Sequence, residues 1–144
     1  TGNRLVYDGD LTVSSAFECG NGENLVRVGP AHFIVEPGAD DIPVSECLPV
    51  YYTCLRVSNR GPRPHVAKID VIVPQALIEN NWTHFVKHPY YVKRGEEWEI
   101  LPQDNCITGM LAFRVIVPIA GHETVLVSNS QPYPYSTMTA RLRE

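Results

Sequence analysis

The 144-residue chain contains no apolar run approaching the roughly 20 residues that a membrane-spanning helix needs, and its first 20 residues lack the basic start and apolar stretch of a secretory leader. A membrane partner is therefore not expected. The chain begins at Thr1 without a Met, which leaves room for a removed leader or a longer parent, so the compartment stays open, with the cytoplasm favoured. Basic clustering is also missing: 12 Lys and Arg are scattered among 16 Asp and Glu, and the net charge of −4 offers no stripe for a phosphate backbone. Nucleic acid is not expected as a partner. Cysteine is scarce. Cys19, Cys47, Cys54 and Cys106 form no CxxC pair, and Cys19 and Cys54 sit in strand-like runs where a small apolar side chain packs well. They read as free thiols, with the spacing leaving a Cys47–Cys54 bridge open.

Long stretches with helical period are absent as well. Almost every apolar segment repeats with a period close to two. In "HVAKIDVIVP" Ala67, Ile69, Val71 and Val73 share one face while Lys68 and Asp70 take the other; in "MLAFRVIVPI" Leu111, Phe113, Val115 and Val117 oppose Arg114. The same pattern reads "RLVYD", "TVSSAFEC", "NLVRVG", "AHFIVE", "YYTCLRVSN", "YYVK", "EWEIL" and "TVLVSN" as strands bounded by Gly, Pro, Asn or Asp. Helix is expected only near "PQALIEN" and in the last residues. About nine or ten short strands in one chain of this length predict an all-β fold, a sandwich of two antiparallel sheets packed face to face. The 12 prolines suit its loops and edges.

Catalytic patterns are not found. His84 and His88 are four apart, but Pro89 follows at once and no carboxylate accompanies them, so a solvated pair is the reading; His122 falls in a predicted hairpin turn. No GxSxG elbow surrounds Ser14, Ser15, Ser58 or Ser136. The glycines of "ECGNGENL" precede a strand where a phosphate cradle would precede a helix, and Asp40 with Asp41 reads as turn chemistry. No catalytic residue, metal ligand or cofactor is assigned to the segment. Trp82, Phe85, Tyr90, Tyr91 and Trp98 lie within seventeen residues, and Trp82, Tyr90 and Trp98 are candidates for a ligand platform. The alternative reading of the chain is accordingly a stand-alone β-sandwich module that binds carbohydrate or protein.

Several stretches, in order, carry a resemblance. "FECGNGENLVRVG", "YYTCLRVSNRG", "PYYVKRGEEWEIL", "LAFRVIVP" and "VLVSNSQPYPYS" resemble the β-sandwich domain that precedes the catalytic domain in cytosolic carboxypeptidase-like members of the zinc metallocarboxypeptidase family. The aromatic strand departs from the family's Trp-Phe-x-Phe run, reading Tyr51-Tyr52-Thr53-Cys54-Leu55, and Arg94-Gly95-Glu96-Glu97 precedes Trp98 where an Asp-Gly pair is usual. The resemblance implies a non-catalytic N-terminal domain over residues 1–135, with residues 136–144 starting the linker or first helix that leads to a catalytic domain. Tyr133, Pro134 and Tyr135 would lie at the domain interface, and Ser136 would cap the helix. The implied partners are a catalytic carboxypeptidase domain in cis and, for the parent, the C-terminus of a peptide or protein. Zinc is implied for that catalytic domain alone.

Overall fold

The structure is a computed structural model, and it describes residues 4–17, 22–39, 51–73, 75–79, 90–109 and 111–129. The expected all-β sandwich is present. In chain order its strands are β1 (Leu5–Asp8), β2 (Leu11–Ser14), β3 (Glu23–Gly29), β4 (His32–Glu36), β5 (Gly38–Ala39), β6 (Tyr51–Tyr52), β7 (Cys54–Asn59) and β8 (His65–Ile72). After a single helical turn, α1 (Gln75–Glu79), come β9 (Tyr91–Arg94), β10 (Glu97–Ile100), β11 (Cys106–Thr108), β12 (Ala112–Ile119) and β13 (Thr124–Ser128). One sheet has six strands in the order β1-β2-β7-β13-β9-β10, and the other has five in the order β11-β12-β8-β4-β3. β5 and β6 form a separate two-stranded ribbon. Among the described residues no helix is long and apolar enough to cross a membrane.

Alternation explains the layering. In β8 the buried residues are Ala67, Ile69 and Val71; in β12 they are Phe113, Val115, Val117 and Ile119. From the facing sheet Leu11, Val13, Leu55, Val57, Val92, Val125 and Val127 enter the same core, joined by Phe33 and Val35 of β4. Side chains at odd steps point into this layer and those at even steps point out, so each strand's register fixes two surfaces at once.

Four expectations need correction. β4 and β8 run parallel, with Phe33 opposite Ile69 and Val35 opposite Val71, so the five-stranded sheet is mixed. The chain between them visits the other sheet as β7, which supplies the crossover that parallel neighbours require. Leu111 is exposed and lies just outside β12, whose inward set begins at Phe113. The run "TVSSAFEC" stops being strand at Ser14, because the Ser14 hydroxyl accepts a hydrogen bond from the Ala16 N–H at 3.0 Å and turns the chain. The run "YYTCLRVSN" is broken at Thr53. Its N–H donates to Asn129 Oδ1 at 3.0 Å and its carbonyl accepts from the Asn129 N–H at 3.3 Å, so Thr53 is clipped to the end of β13 between the ribbon and the sheet.

The sandwich is closed at one end by a buried amide. Asn59, 2 % exposed, donates to the carbonyls of Arg63 at 2.6 Å and Ala120 at 3.0 Å and accepts from the Gly61 N–H at 3.0 Å. Three of its hydrogen-bonding groups are thus used inside the protein, and the loop after β7 is tied to the turn between β12 and β13. Gly121 belongs to the same junction: a Cβ there would lie 2.3 Å from the Pro62 carbonyl oxygen.

Candidate functional site

The outward face of the five-stranded sheet carries one organised polar cluster. β4, β8 and β12 are neighbours, and each contributes one side chain: His32, Asp70 and Arg114. Arg114 Nε donates to Asp70 Oδ1 at 2.8 Å and its Nη2 to Oδ2 at 3.2 Å, a two-pronged contact that fixes the guanidinium plane. His32 Nε2 lies 2.7 Å from Oδ2. The carboxylate has only acceptors there, so Nε2 carries the hydrogen. Asp70 is 13 % exposed, and burial alone would raise its carboxyl. The hydrogen bonds and charges of Arg114 and His32 outweigh that and hold it below the ordinary value of 3.8. The Arg114 guanidinium is correspondingly raised by its bonds to Asp70.

Apolar side chains surround this cluster on the same face. Ile107, Arg114, Asp70, Ile34 and Val26 are successive register partners across all five strands, so they form one transverse row. Ile107, Val26 and Val66 are about half exposed, at 50 %, 48 % and 50 %. The charged pair and the histidine thus lie among partly exposed apolar side chains, with the hydrogen bonds between the three already made.

A hollow of about 490 Å³ opens at the Asn59 end, lined among others by His65, Arg94, Pro118 and Glu123. Arg94 is paired with Glu123 and donates to the Pro118 carbonyl at 2.7 Å, while Glu123 also accepts from the Ala120 N–H at 3.0 Å. These charges hold the turn between β12 and β13 in shape. Among the described residues no group of three or more His, Cys, Asp or Glu is placed to hold a metal ion.

The residues singled out in the sequence are scattered. Tyr90 is fully buried, stacked on Phe113 with ring centroids 5.3 Å apart, and burial pushes its hydroxyl far above the usual range. It is a core residue, which removes it from the ligand platform. Trp98 is half-buried on β10 opposite Lys93, on the outward face of the six-stranded sheet. Trp82, Phe85, His84, His88, Asp40, Asp41, Tyr133, Pro134, Tyr135 and Ser136 lie outside the described residues, as do Cys19 and Cys47. Cys54 is buried in the core, and Cys106 is a free, half-buried thiol that burial pushes up. Ser15 is buried and donates to the Gly22 carbonyl at 2.6 Å, while Ser58 meets Thr124. His122 sits exposed in the β12–β13 turn with φ 56°.

The cluster of His32, Asp70 and Arg114 was not found from the sequence. Its signal was there: Arg114 is the one charged residue of β12 and Asp70 stands with Lys68 on the outward face of β8, and Asp70 and Arg114 prove to be register partners. Period two gives each residue's face, but only the pairing of strands brings the two together.

No family model and no curated protein matches the chain. Among solved structures it is similar to a metallo-carboxypeptidase from Burkholderia cenocepacia, with a TM-score of 0.67 and 14 % sequence identity over 92 % of this chain. The match takes in 32 % of that protein, so the chain spans about a third of its length. At that identity the likeness is one of fold.

Proposed function

We propose that the chain is a non-catalytic β-sandwich that packs against the catalytic domain of a zinc carboxypeptidase of the cytosolic type, aids its folding and shapes access for the C-terminal end of a peptide or protein substrate. The observation that carries this reading is the fold match. Nearly all of the chain superimposes on a region of a metallo-carboxypeptidase, and about two thirds of that protein lies outside the region. The chemistry of the described residues agrees with a supporting role, since the best-organised polar cluster consists of a salt bridge with a histidine already bonded to it. The outward face of the five-stranded sheet is the surface such packing would use, with Val26, Val66 and Ile107 offering apolar area around that cluster.

The test has two parts. The parent reading frame beyond Glu144 is expected to carry a His-x-x-Glu pair and a later His, the residue types of a zinc site. The segment bearing them is then expressed with and without this chain. Soluble, active peptidase only in the presence of the chain, weakened by Asp70→Lys on the docking face, is the expected result. A segment that folds and cleaves equally well alone refutes the supporting role, and removal of C-terminal residues by the purified chain itself refutes the non-catalytic reading.

A further inference from the structure

The two outward faces of the sandwich differ in charge. On the six-stranded sheet the outward positions of the described strands include Arg56 and Lys93, with Arg60 just past the end of β7, and no carboxylate, in a chain whose net charge is −4. The nearest acids are turned away. Asp8 takes Arg27 Nε at 2.8 Å and the Ala31 N–H, both from the other sheet's side, and Asp10 lies against Gly61, 4.0 Å from His65 Nε2. Neither Arg56 nor Arg60 forms an ion pair among the described residues. Each guanidinium is instead held over a ring, Arg56 at 4.5 Å from the centre of Phe17 and Arg60 at 5.6 Å from that of Tyr7. A guanidinium stacked in this way keeps its N–H edge for an acceptor.

Between the two arginines lies a hollow of about 350 Å³. Across it run three hydroxyls in register, Thr12, Ser58 and Thr124, from three adjacent strands. Ser58 and Thr124 meet at 3.1 Å, whereas Thr12 Oγ1 is enclosed with no hydrogen-bond partner among the described residues. The hollow thus has a cation at each end and hydroxyls along its floor.

We propose that this face, from Arg56 to Arg60, is a docking surface for an extended acidic peptide segment. Spacing selects that partner. Arg56, Ser58 and Arg60 occupy alternate positions of one extended stretch, so the arginines stand about 13 Å apart along the chain, and an extended peptide repeats its own same-side residues with that period. Carboxylates at positions i and i+4 of such a peptide meet both guanidiniums, and the peptide's polar groups meet the hydroxyl row between them. A lone small anion reaches one arginine only. Lys93, in register with Arg56 across Leu126, widens the positive field on the same face.

The 144-residue chain, without any catalytic domain, is titrated by NMR with three probes: a short peptide with carboxylates four residues apart, the same composition with its carboxylates adjacent, and inorganic phosphate. Amide shifts confined to β2, β7 and β13, strongest for the first peptide, are expected. Arg56→Gln and Arg60→Gln should each weaken binding by up to about fivefold, the scale of one exposed ion pair. Binding should fade near 1 M salt, where charges are screened within about 3 Å. Both arginines are exposed, so the variants keep the fold. Equal response to phosphate, indifference to carboxylate spacing, unchanged affinity in the arginine variants, or no shifts on these strands overturns the proposal. Because only this chain is titrated, such a failure leaves the carboxypeptidase reading untouched.

Discussion

Asn59 shows how much of this fold rests on single polar side chains. Its amide donates to two carbonyls and accepts from one N–H inside a buried junction, so truncation strands those groups, at a cost of about 1–3 kcal/mol each when they stay dry. Asn59→Asp should be worse than Asn59→Ala. A carboxylate would face the carbonyl oxygens of Arg63 and Ala120 with no hydrogen to offer, and urea melts of the two variants compare them directly. Asp70 gives a pH signature. Its folded carboxyl titrates below 3.8, so its contribution is complete above that pH and is lost as the pH falls through the lower folded value. Asp70→Asn should therefore lower stability at neutral pH by about 1 kcal/mol, the scale of a partly exposed ion pair, and the gap from the parent chain should narrow below pH 4. Denaturation midpoints measured from pH 2 to 7 test this. The sequence displayed Asp70 and Arg114 as outward charges, but His32 stood on a strand whose parallel partner period two does not reveal, so the trio stayed hidden.

At the level of elements, alternation located ten of the strands and missed those it had too little length to show. β11 has three residues and β5 has two, too short for a period, and β6 was merged with β7 because nothing in Tyr51-Tyr52-Thr53-Cys54 announces that Asn129 will capture the Thr53 backbone. Turns were easier to read. Gly95 opens the two-residue loop between β9 and β10 with φ 62°, a left-handed value that glycine adopts without strain, and its missing side chain would meet open space. Gly121 is the reverse case. It needs no special φ, yet a Cβ would strike the Pro62 carbonyl, a backbone atom held by the Asn59 junction. Gly95→Ala should cost about 1–2 kcal/mol, the left-handed penalty. Gly121→Ala should cost more, because the clash can be relieved only by moving the β12–β13 turn. Thermal melts should rank the two in that order.

For the whole molecule, the all-β class and the layered core were legible because burial on one face writes itself into every strand. The site was less legible. The aromatic platform joined Tyr90, which lies in the core, with Trp98, which faces outward, two residues close in sequence but on opposite sides of the sheet. What the assembled sandwich offers is two outward faces of different character, one apolar around a satisfied cluster and one cationic around a hydroxyl row. Raising salt should leave association through the first nearly unchanged and weaken association through the second, a contrast that light scattering and titration can read separately.

The position of β13 in the six-stranded sheet also bears on how the protein is made. It is the last described strand, yet it lies between β7 and β9 and pairs with both. A ribosome delivering the chain from its N-terminus would release β1, β2 and β7 as one fragment of this sheet and β9 with β10 as another, and the strand that pairs with both would be missing until residues 124–128 emerged. Folding of this sheet is therefore expected to wait until β13 has been made, leaving a half-made sandwich open to chaperones and proteases. Stalled nascent chains ending before Thr124 should be cleaved rapidly by added protease, and those extending well past Ser128 should resist it; early resistance would mean that the sheet has another route to closure.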